Sequence, residues 1–259
     1  MRASLIQIAI DGGESVADRR LRAAELVRGQ AGSDLVVLPE LWPTGAFAYE
    51  LFEAEAEPLD GPTHAVMAAA ARDAGVWLHA GSVVERAADG RMYNTSLVYA
   101  PDGERVATYR KIHRFGFDKG EAVMMGAGTE LVTLPAGGLT LGLSTCYDLR
   151  FPELYRGLVD AGATALVVSA GWPERRREHW TVLARARAIE NQAYVLALAE
   201  AGTHAGVEMS GHSLVVDPWG EVLAEAGAGE EVLVVELDPE KVAVTREQFP
   251  ALKDRVLGR

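Results

Sequence analysis

Leu139-Thr140-Leu141-Gly142-Leu143-Ser144-Thr145-Cys146-Tyr147-Asp148-Leu149-Arg150-Phe151-Pro152-Glu153 reads as a strand, a sharp turn and a helix. Apolar and small residues (139–145) run straight into Cys146, the only cysteine of the chain. A polar turn, Tyr147-Asp148-Leu149-Arg150, follows it. Pro152 then suits the first turn of a helix, and Glu153 favours the positive end of the helix dipole. A thiol at such an elbow is accessible, and the backbone N–H of the next residue points toward whatever the thiol attacks. Against this, a lone cysteine is ordinarily a small buried hydrophobe, and Cys146 taken by itself favours that reading.

Working outward, strands and helices alternate along the whole chain. Residues 5–10 read as a strand, and Ser15 caps a helix to about residue 28 with Leu21, Ala24 and Val27 at helical spacing. Leu35-Val36-Val37-Leu38 is a short run of the kind buried on both sheet faces, and it ends at Pro39-Glu40. Residues 41–47 form an irregular aromatic loop, and the acidic stretch 50–60 is taken as a solvated surface segment. Residues 62–74 make an Ala-rich helix stopped by Gly75. Strands over 76–85, 92–100 and 106–110 are joined by two tight turns, so this sheet is mixed, and Lys111 stands at the end of the third. Residues 112–128 carry no period, a sign of a functional segment. Beyond it, strands are expected at 131–134, 139–145, 163–169, 194–199, 213–216 and 232–237, with helices at 152–161, 176–191 and 239–249. About a dozen strands and five or six helices with mixed links make an α/β protein, which two sheets with helices outside would accommodate. No Pro/Ser-rich linker interrupts the chain, so residues 1–259 are expected to form one domain.

Charge excludes several functions. The 25 Lys and Arg against 37 Asp and Glu give a net charge of −12, which repels phosphate backbones and anionic membranes. One cysteine forms no internal disulfide, and the N-terminal run lacks the features of a signal peptide, so a cytoplasmic location is expected. No apolar run is long enough to span a bilayer. The six histidines are scattered without metal-ligand spacing, and Arg175-Arg176-Arg177 reads as a solvated helix start.

Glu40, Lys111 and Cys146 share a position type, just past the end of an apolar strand. Alone, Glu40 would be a surface carboxylate and Lys111 a solvated lysine. Strand ends on one edge of an α/β sheet meet in a crevice, however, so residues far apart in sequence converge there. A buried carboxylate can take the thiol proton, and an ammonium stabilises both the thiolate and the oxyanion formed on attack. Phe47, Phe115, Phe117 and Trp172 stand near the inferred crevice, where lining a pocket and packing are both open. Arg150 either anchors a substrate carboxylate or pairs with Asp148 or Glu153, and the ion pair is favoured.

Leu38-Pro39-Glu40, Tyr109-Arg110-Lys111-Ile112-His113 and the run Thr145 through Glu153 together resemble the three signatures of the nitrilase, or carbon–nitrogen hydrolase, superfamily. Arg187-Ala188-Ile189-Glu190-Asn191-Gln192 and Val216-Asp217-Pro218-Trp219-Gly220 are similar to later family segments, so the likeness covers nearly the whole chain. Within the superfamily the chain looks most like the omega-amidase and deaminated-glutathione-amidase type. The resemblance implies a four-layer α-β-β-α sandwich of two mixed β-sheets flanked by helices, pairing as a homodimer, with no metal or organic cofactor. It implies Glu40 as general base, Cys146 as nucleophile, Lys111 with the Tyr147 N–H as oxyanion donors, and Glu121 as a second active-site glutamate. The loop 114–120 departs from the commoner leucine-phenylalanine-aspartate pattern. The implied reaction is hydrolysis of a small linear amide through a thioester to an acid and ammonia. A carbamoyl-amide hydrolase or a nitrilase is the runner-up. A redox-sensing thiol is the non-enzyme alternative, and it gives Glu40 and Lys111 no joint task.

Overall fold

Leu35 and Val37 point to one side of their strand and Val36 and Leu38 to the other, and the two pairs are buried in different layers. This two-residue alternation organises the whole chain, of which a computed structural model describes residues 1–257. Leu35 and Val37 join Leu5 and Val98 of their own sheet in one layer with Leu141, Leu143, Val167 and Leu196 of a second sheet. Val36 and Leu38 instead pack on Ala24 and Val27 of helix Val16–Arg28 and on Met67 and Ala70 of helix Pro62–Ala74. On the opposite face of the second sheet, Leu166, Val168 and Val195 pack on Leu158 of helix Pro152–Asp160 and on Trp180 and Ala184 of helix Arg177–Asn191. Helix, sheet, sheet and helix thus lie in four layers, as the resemblance implies.

The first sheet has the strand order Glu231–Glu236, Arg2–Gln7, Leu35–Val37, Trp77–Arg86, Met92–Tyr99, Arg105–Arg110. The second runs Val222–Glu225, Leu214–Val216, Tyr194–Ala199, Ala165–Ala170, Leu139–Thr145, Thr133–Ala136. In both, a parallel centre is flanked by antiparallel edge strands. Two antiparallel steps separate Trp77–Arg86 from Arg105–Arg110, so the latter again runs in the direction of Leu35–Val37. Glu40 and Lys111 therefore leave the first sheet on the same side, facing the end of Leu139–Thr145.

Local signals placed most boundaries. The Ser15 side chain accepts from the Asp18 N–H at the first helix, and Gly75 closes helix Pro62–Ala74 in the left-handed region. Three expectations need correction. The strand expected over 5–10 breaks at Ile8: Ala9–Asp11 leaves for a small third sheet with Ala201–His204 and Val207–Glu208. The acidic segment 50–60 is not simply solvated. It holds helix Tyr49–Glu55, which buries Phe52, and Glu57 is buried against Arg20 and Thr63. The strand expected at 131–134 lies at Thr133–Ala136, because its register is set by pairing Leu134 with Leu141. Among the described residues no helix is long and apolar enough to cross a membrane.

Candidate active site

Glu40 is held from both sheets. On its own side, the Leu41 N–H donates to Ser82 Oγ at 2.9 Å and the Trp42 indole to the Ala80 carbonyl at 2.9 Å. Between those anchors the strand Trp77–Arg86 bulges, and Gly81, with φ of 63°, lies so close that a Cβ there would stand 1.9 Å from the Pro39 carbonyl oxygen. From the second sheet, the Gly171 N–H donates to Glu40 Oε2 at 2.8 Å.

The other carboxylate oxygen meets the rest of the cluster. Lys111 Nζ donates to Glu40 Oε1 at 2.7 Å and to Glu121 Oε2 at 2.7 Å. Asn94 Nδ2 donates to Glu40 Oε1 at 2.8 Å and Glu121 Oε1 at 2.6 Å. Two carboxylates are therefore joined by an ammonium and an amide, out of contact with water: Glu40 and Lys111 are each 2% exposed and Glu121 5%. Glu121 opens the short helix Glu121–Met124, inside the segment whose sequence has no period, and also accepts from the Phe115 N–H.

Cys146 opens into the same chamber as Glu40, Lys111 and Glu121. It begins a 3₁₀ turn, Cys146–Arg150, and its φ of 49° is a conformation that a non-glycine residue holds only when its surroundings enforce it. Asp148 is the enforcing group. Its carboxylate accepts from the Thr145 N–H at 2.9 Å, the Tyr109 hydroxyl at 2.6 Å and the His113 N–H at 2.9 Å, with His113 Nδ1 2.8 Å away. Tyr109 and His113 flank Lys111 in sequence, so one buried carboxylate ties the lysine strand of the first sheet to the cysteine elbow of the second. His113 also stacks on Phe151 at 3.7 Å. The Tyr147 N–H lies in the first turn of the 3₁₀ segment, where N–H groups have no intrahelical acceptor.

Electrostatics set the resting state. Burial, and then the negative charge of Glu40, push the Cys146 thiol well above its usual range, and Lys111 only partly opposes them. The group at rest is a thiol. Burial disfavours the charge on Lys111, but Glu121 and Glu40 outweigh it and hold the ammonium well above the ordinary lysine range. Burial raises Glu121 against the pull of Lys111. Among the described residues no group of three His, Cys, Asp or Glu side chains is arranged to hold a metal ion.

The aromatic residues divide. Phe47, Phe115 and Trp172 line the thiol chamber with Arg150, whereas Phe117 is 80% exposed and borders only an outer vestibule of about 600 Å³. Phe117 thus stands apart from the reacting groups. Beside the thiol there is room for little more than one water, because Phe47 and Phe115 meet edge-on at 6.1 Å across the entrance. The ion pair favoured for Arg150 does not form. Asp148 is saturated by other donors, and Arg150 instead reaches His179 at 3.2 Å and lies 5.0 Å over the Trp172 ring. Asn94, Tyr49, Gly171 and Arg176 also belong to the site and escaped the sequence reading. Only Gly171 carried a signal, as the break after a buried strand. The basic run at 175–177 is not uniformly solvated: Arg176 is half-buried at the chamber mouth.

Comparison with known proteins bears on this geometry. A family model described as carbon-nitrogen hydrolase matches residues 2–247. The 2-oxoglutaramate amidase of Paenarthrobacter nicotinovorans is 43% identical over 258 residues, covering 96% of this chain and 87% of that protein. An omega-amidase of Homo sapiens is 35% identical over 266 residues, covering 98% and 94%. Among solved structures, a CN-hydrolase superfamily protein from Xanthomonas campestris superposes with a TM-score of 0.91 at 33% identity, over 100% of this chain and 99% of that one.

Proposed function

The chain belongs to the carbon–nitrogen hydrolase family and is an amidase, and on that premise we propose that it cleaves the terminal amide bond of a small linear amide through a thioester on Cys146. The observation that carries this reading is the placement of Lys111 Nζ 2.7 Å from both Glu40 and Glu121 in the chamber that holds the thiol. An ammonium so held has its charge fixed before a substrate arrives, which is what stabilisation of a developing oxyanion requires.

The steps follow from the resting protonation states. Glu40 takes the Sγ proton as the sulfur attacks the amide carbon, since burial disfavours a free thiolate. Lys111 and the Tyr147 N–H receive the carbonyl oxygen as it becomes negative. Glu40 passes its proton to the amide nitrogen, the C–N bond breaks, and ammonia leaves a thioester behind. A water then gives a proton to Glu40 and attacks the thioester carbon. The C–S bond breaks, Glu40 returns the proton to sulfur, and the carboxylic acid departs. Two moderate barriers replace one high one. Glu121, through Lys111 and Asn94, keeps the ammonium and Glu40 in position. Phe47, Phe115, Arg150 and Trp172 shape the space for the acyl group, and Phe117 takes part only at the outer entrance. A raised thiol pKa also speaks against redox sensing, which uses accessible, low-pKa cysteines.

An ammonia-release screen over small amides, ureido compounds and nitriles, with mass spectrometry of trapped protein, tests the reading. Amides are expected to release ammonia and leave an acyl mass on Cys146. Cys146→Ala is expected to remove turnover while folding normally, and ammonia release by that variant would sink the assignment. With this reading go a cytoplasmic location, a homodimer and one catalytic domain over 1–259, whose last two positions lie outside the described residues. Light scattering checks the dimer, and limited proteolysis checks the single domain by yielding no stable half.

A further inference from the structure

Glu200 stands immediately past the end of strand Tyr194–Ala199, the position type of Glu40, Lys111 and Cys146. That strand pairs in parallel with Ala165–Ala170, so Glu200 emerges beside Gly171, whose N–H donates to Glu40 Oε2. Its backbone is held on both sides: the Glu200 N–H donates to the Ala170 carbonyl at 2.9 Å, and the Glu200 carbonyl accepts from the Gly211 N–H at 3.0 Å. The side chain is fully buried, and among the described residues neither carboxyl oxygen has a hydrogen-bond partner of good geometry. It fills room that only a glycine leaves open, since a Cβ on Gly171 would stand 2.9 Å from Glu200 Oε2 and 2.2 Å from the Ala46 Cβ. No step of the amide cleavage uses this carboxyl.

The charged and titratable groups that face it are three. Glu40 comes from the loop after Leu35–Val37, with Lys111, Asn94 and Gly171 donating to it, so it is the carboxyl equipped to be an anion. Arg19, on helix Val16–Arg28, is already bound to Glu14 at 3.2 Å and to the carbonyls of Asp11 and Pro43. His204, on Ala201–His204, brings Nε2 to 3.7 Å from Glu200 Oε2, but this nitrogen accepts from the Phe47 N–H at 3.3 Å and burial lowers the ring's pKa to about 4, so the ring is neutral. A carboxylate in such a place costs far more than the uncharged acid. Burial, and then the charge of Glu40, hold the Glu200 carboxyl well above the usual carboxylate range, against the Ala46 N–H and Arg19.

We propose that Glu200 is a positioning residue that works as an uncharged carboxylic acid: packed on Gly171, it keeps the Gly171 N–H aimed at Glu40, and the loss of its proton sets the alkaline limit of catalysis. This rests on the amidase reading, in which Glu40 is the base. A second negative charge behind Gly171 repels Glu40 from its donor and opposes the charge that develops on Sγ and on the carbonyl oxygen.

The test is the pH profile of kcat/KM for ammonia release from one small amide, in the wild type, Glu200→Gln and Glu200→Met. Gln keeps the shape of the side chain, and Met fills a similar volume without the two unpartnered oxygens, so a failure of one variant to fold leaves the other. In the wild type kcat/KM is expected to fall about tenfold as Glu200 ionises, and in both variants that fall is expected to begin at least about one pH unit higher. The acidic limb, which belongs to Glu40, should coincide in all three proteins, because one neutral side chain replaces another. Alkaline limbs that superpose overturn the proposal. So does an acidic limb that moves down in the variants, the result of removing a negative charge already present beside Glu40. If no amide yields ammonia, the amidase reading falls instead, and infrared difference spectra of the wild type against Glu200→Gln decide for Glu200. A carboxylic-acid C=O band at pH 7 that gives way to carboxylate bands in alkali supports the proposal; carboxylate bands at pH 7, or an acid band that persists in alkali, overturn it.

Discussion

Asn94 spends both protons of its amide on carboxylates, one on Glu40 and one on Glu121. With Lys111 it completes a ring in which moving any member moves the others. Asn94→Leu should therefore lower kcat about a hundredfold, the usual consequence of misplacing a catalytic group by an ångström, while KM changes only a few-fold. Steady-state ammonia release checks this, and an unchanged kcat would mean that Lys111 alone keeps the carboxylates in place. The thiol yields a second expectation. Because burial and Glu40 push its pKa up, Cys146 holds little thiolate at neutral pH. Iodoacetamide should alkylate it more slowly at pH 7 than a free cysteine, and faster as pH rises, which a mass time course would follow. Glu40, Lys111 and Cys146 were legible because each stands just past the end of a strand, a property of local sequence. Asn94 was not, since an asparagine inside a strand gives no sign of which buried carboxylates it will face. Arg150 was misread for a related reason: Asp148 looked free in the sequence, but donors from another sheet had already filled it.

At the scale of elements, the bulge in Trp77–Arg86 and the loop that carries Glu40 are packed as one unit, with Gly81 touching the Pro39 carbonyl. Gly81→Ala brings a Cβ into that contact and leaves an alanine at positive φ. It should destabilise the fold by about 2 kcal/mol or more and also reduce turnover, since Pro39 directly precedes Glu40. Chemical denaturation reads the first effect and ammonia release the second; a loss of stability with normal turnover would show the two to be separable. Long elements were legible from their ends. Ser15 and Gly75 marked helices, and the tight turns at 88–90 and 101–104 marked hairpins, because caps and turns are chosen by local backbone needs. The helix Tyr49–Glu55 was hidden by its acidic composition, which masked the single buried face around Phe52. The exit of Ala9–Asp11 to a third sheet was hidden because its partner, Ala201–His204, lies far away in sequence.

For the whole molecule, acid should be destabilising in a defined window. His79 is fully buried, and loss of water brings its pKa down to about 4. The unfolded chain binds a proton at this histidine below about pH 6.5, whereas the folded chain refuses it until about 4. Stability therefore falls as pH drops through that window, by on the order of 3 kcal/mol for this group. His204, also held down to about 4 by burial, adds in the same direction. Denaturation midpoints at pH 7 and pH 5 measure the slope, and His79→Leu should flatten it. An equal slope in that variant would assign the acid sensitivity elsewhere. The four-layer plan itself was legible through the resemblance, and the residues alone led as far as two sheets with helices outside. Which strands would border which was not, because pairing joins distant segments. The pairing of Arg2–Gln7 with Glu231–Glu236 is the extreme case, aligning Arg2 with Glu236 and Gln7 with Glu231. During synthesis Arg2–Gln7 leaves the ribosome with one edge unfilled until Glu231–Glu236, more than two hundred residues later, has followed it. The first sheet is thus completed only once residues 231–236 have emerged, and until then its open edge is a place where a nascent chain can pair with the wrong neighbour.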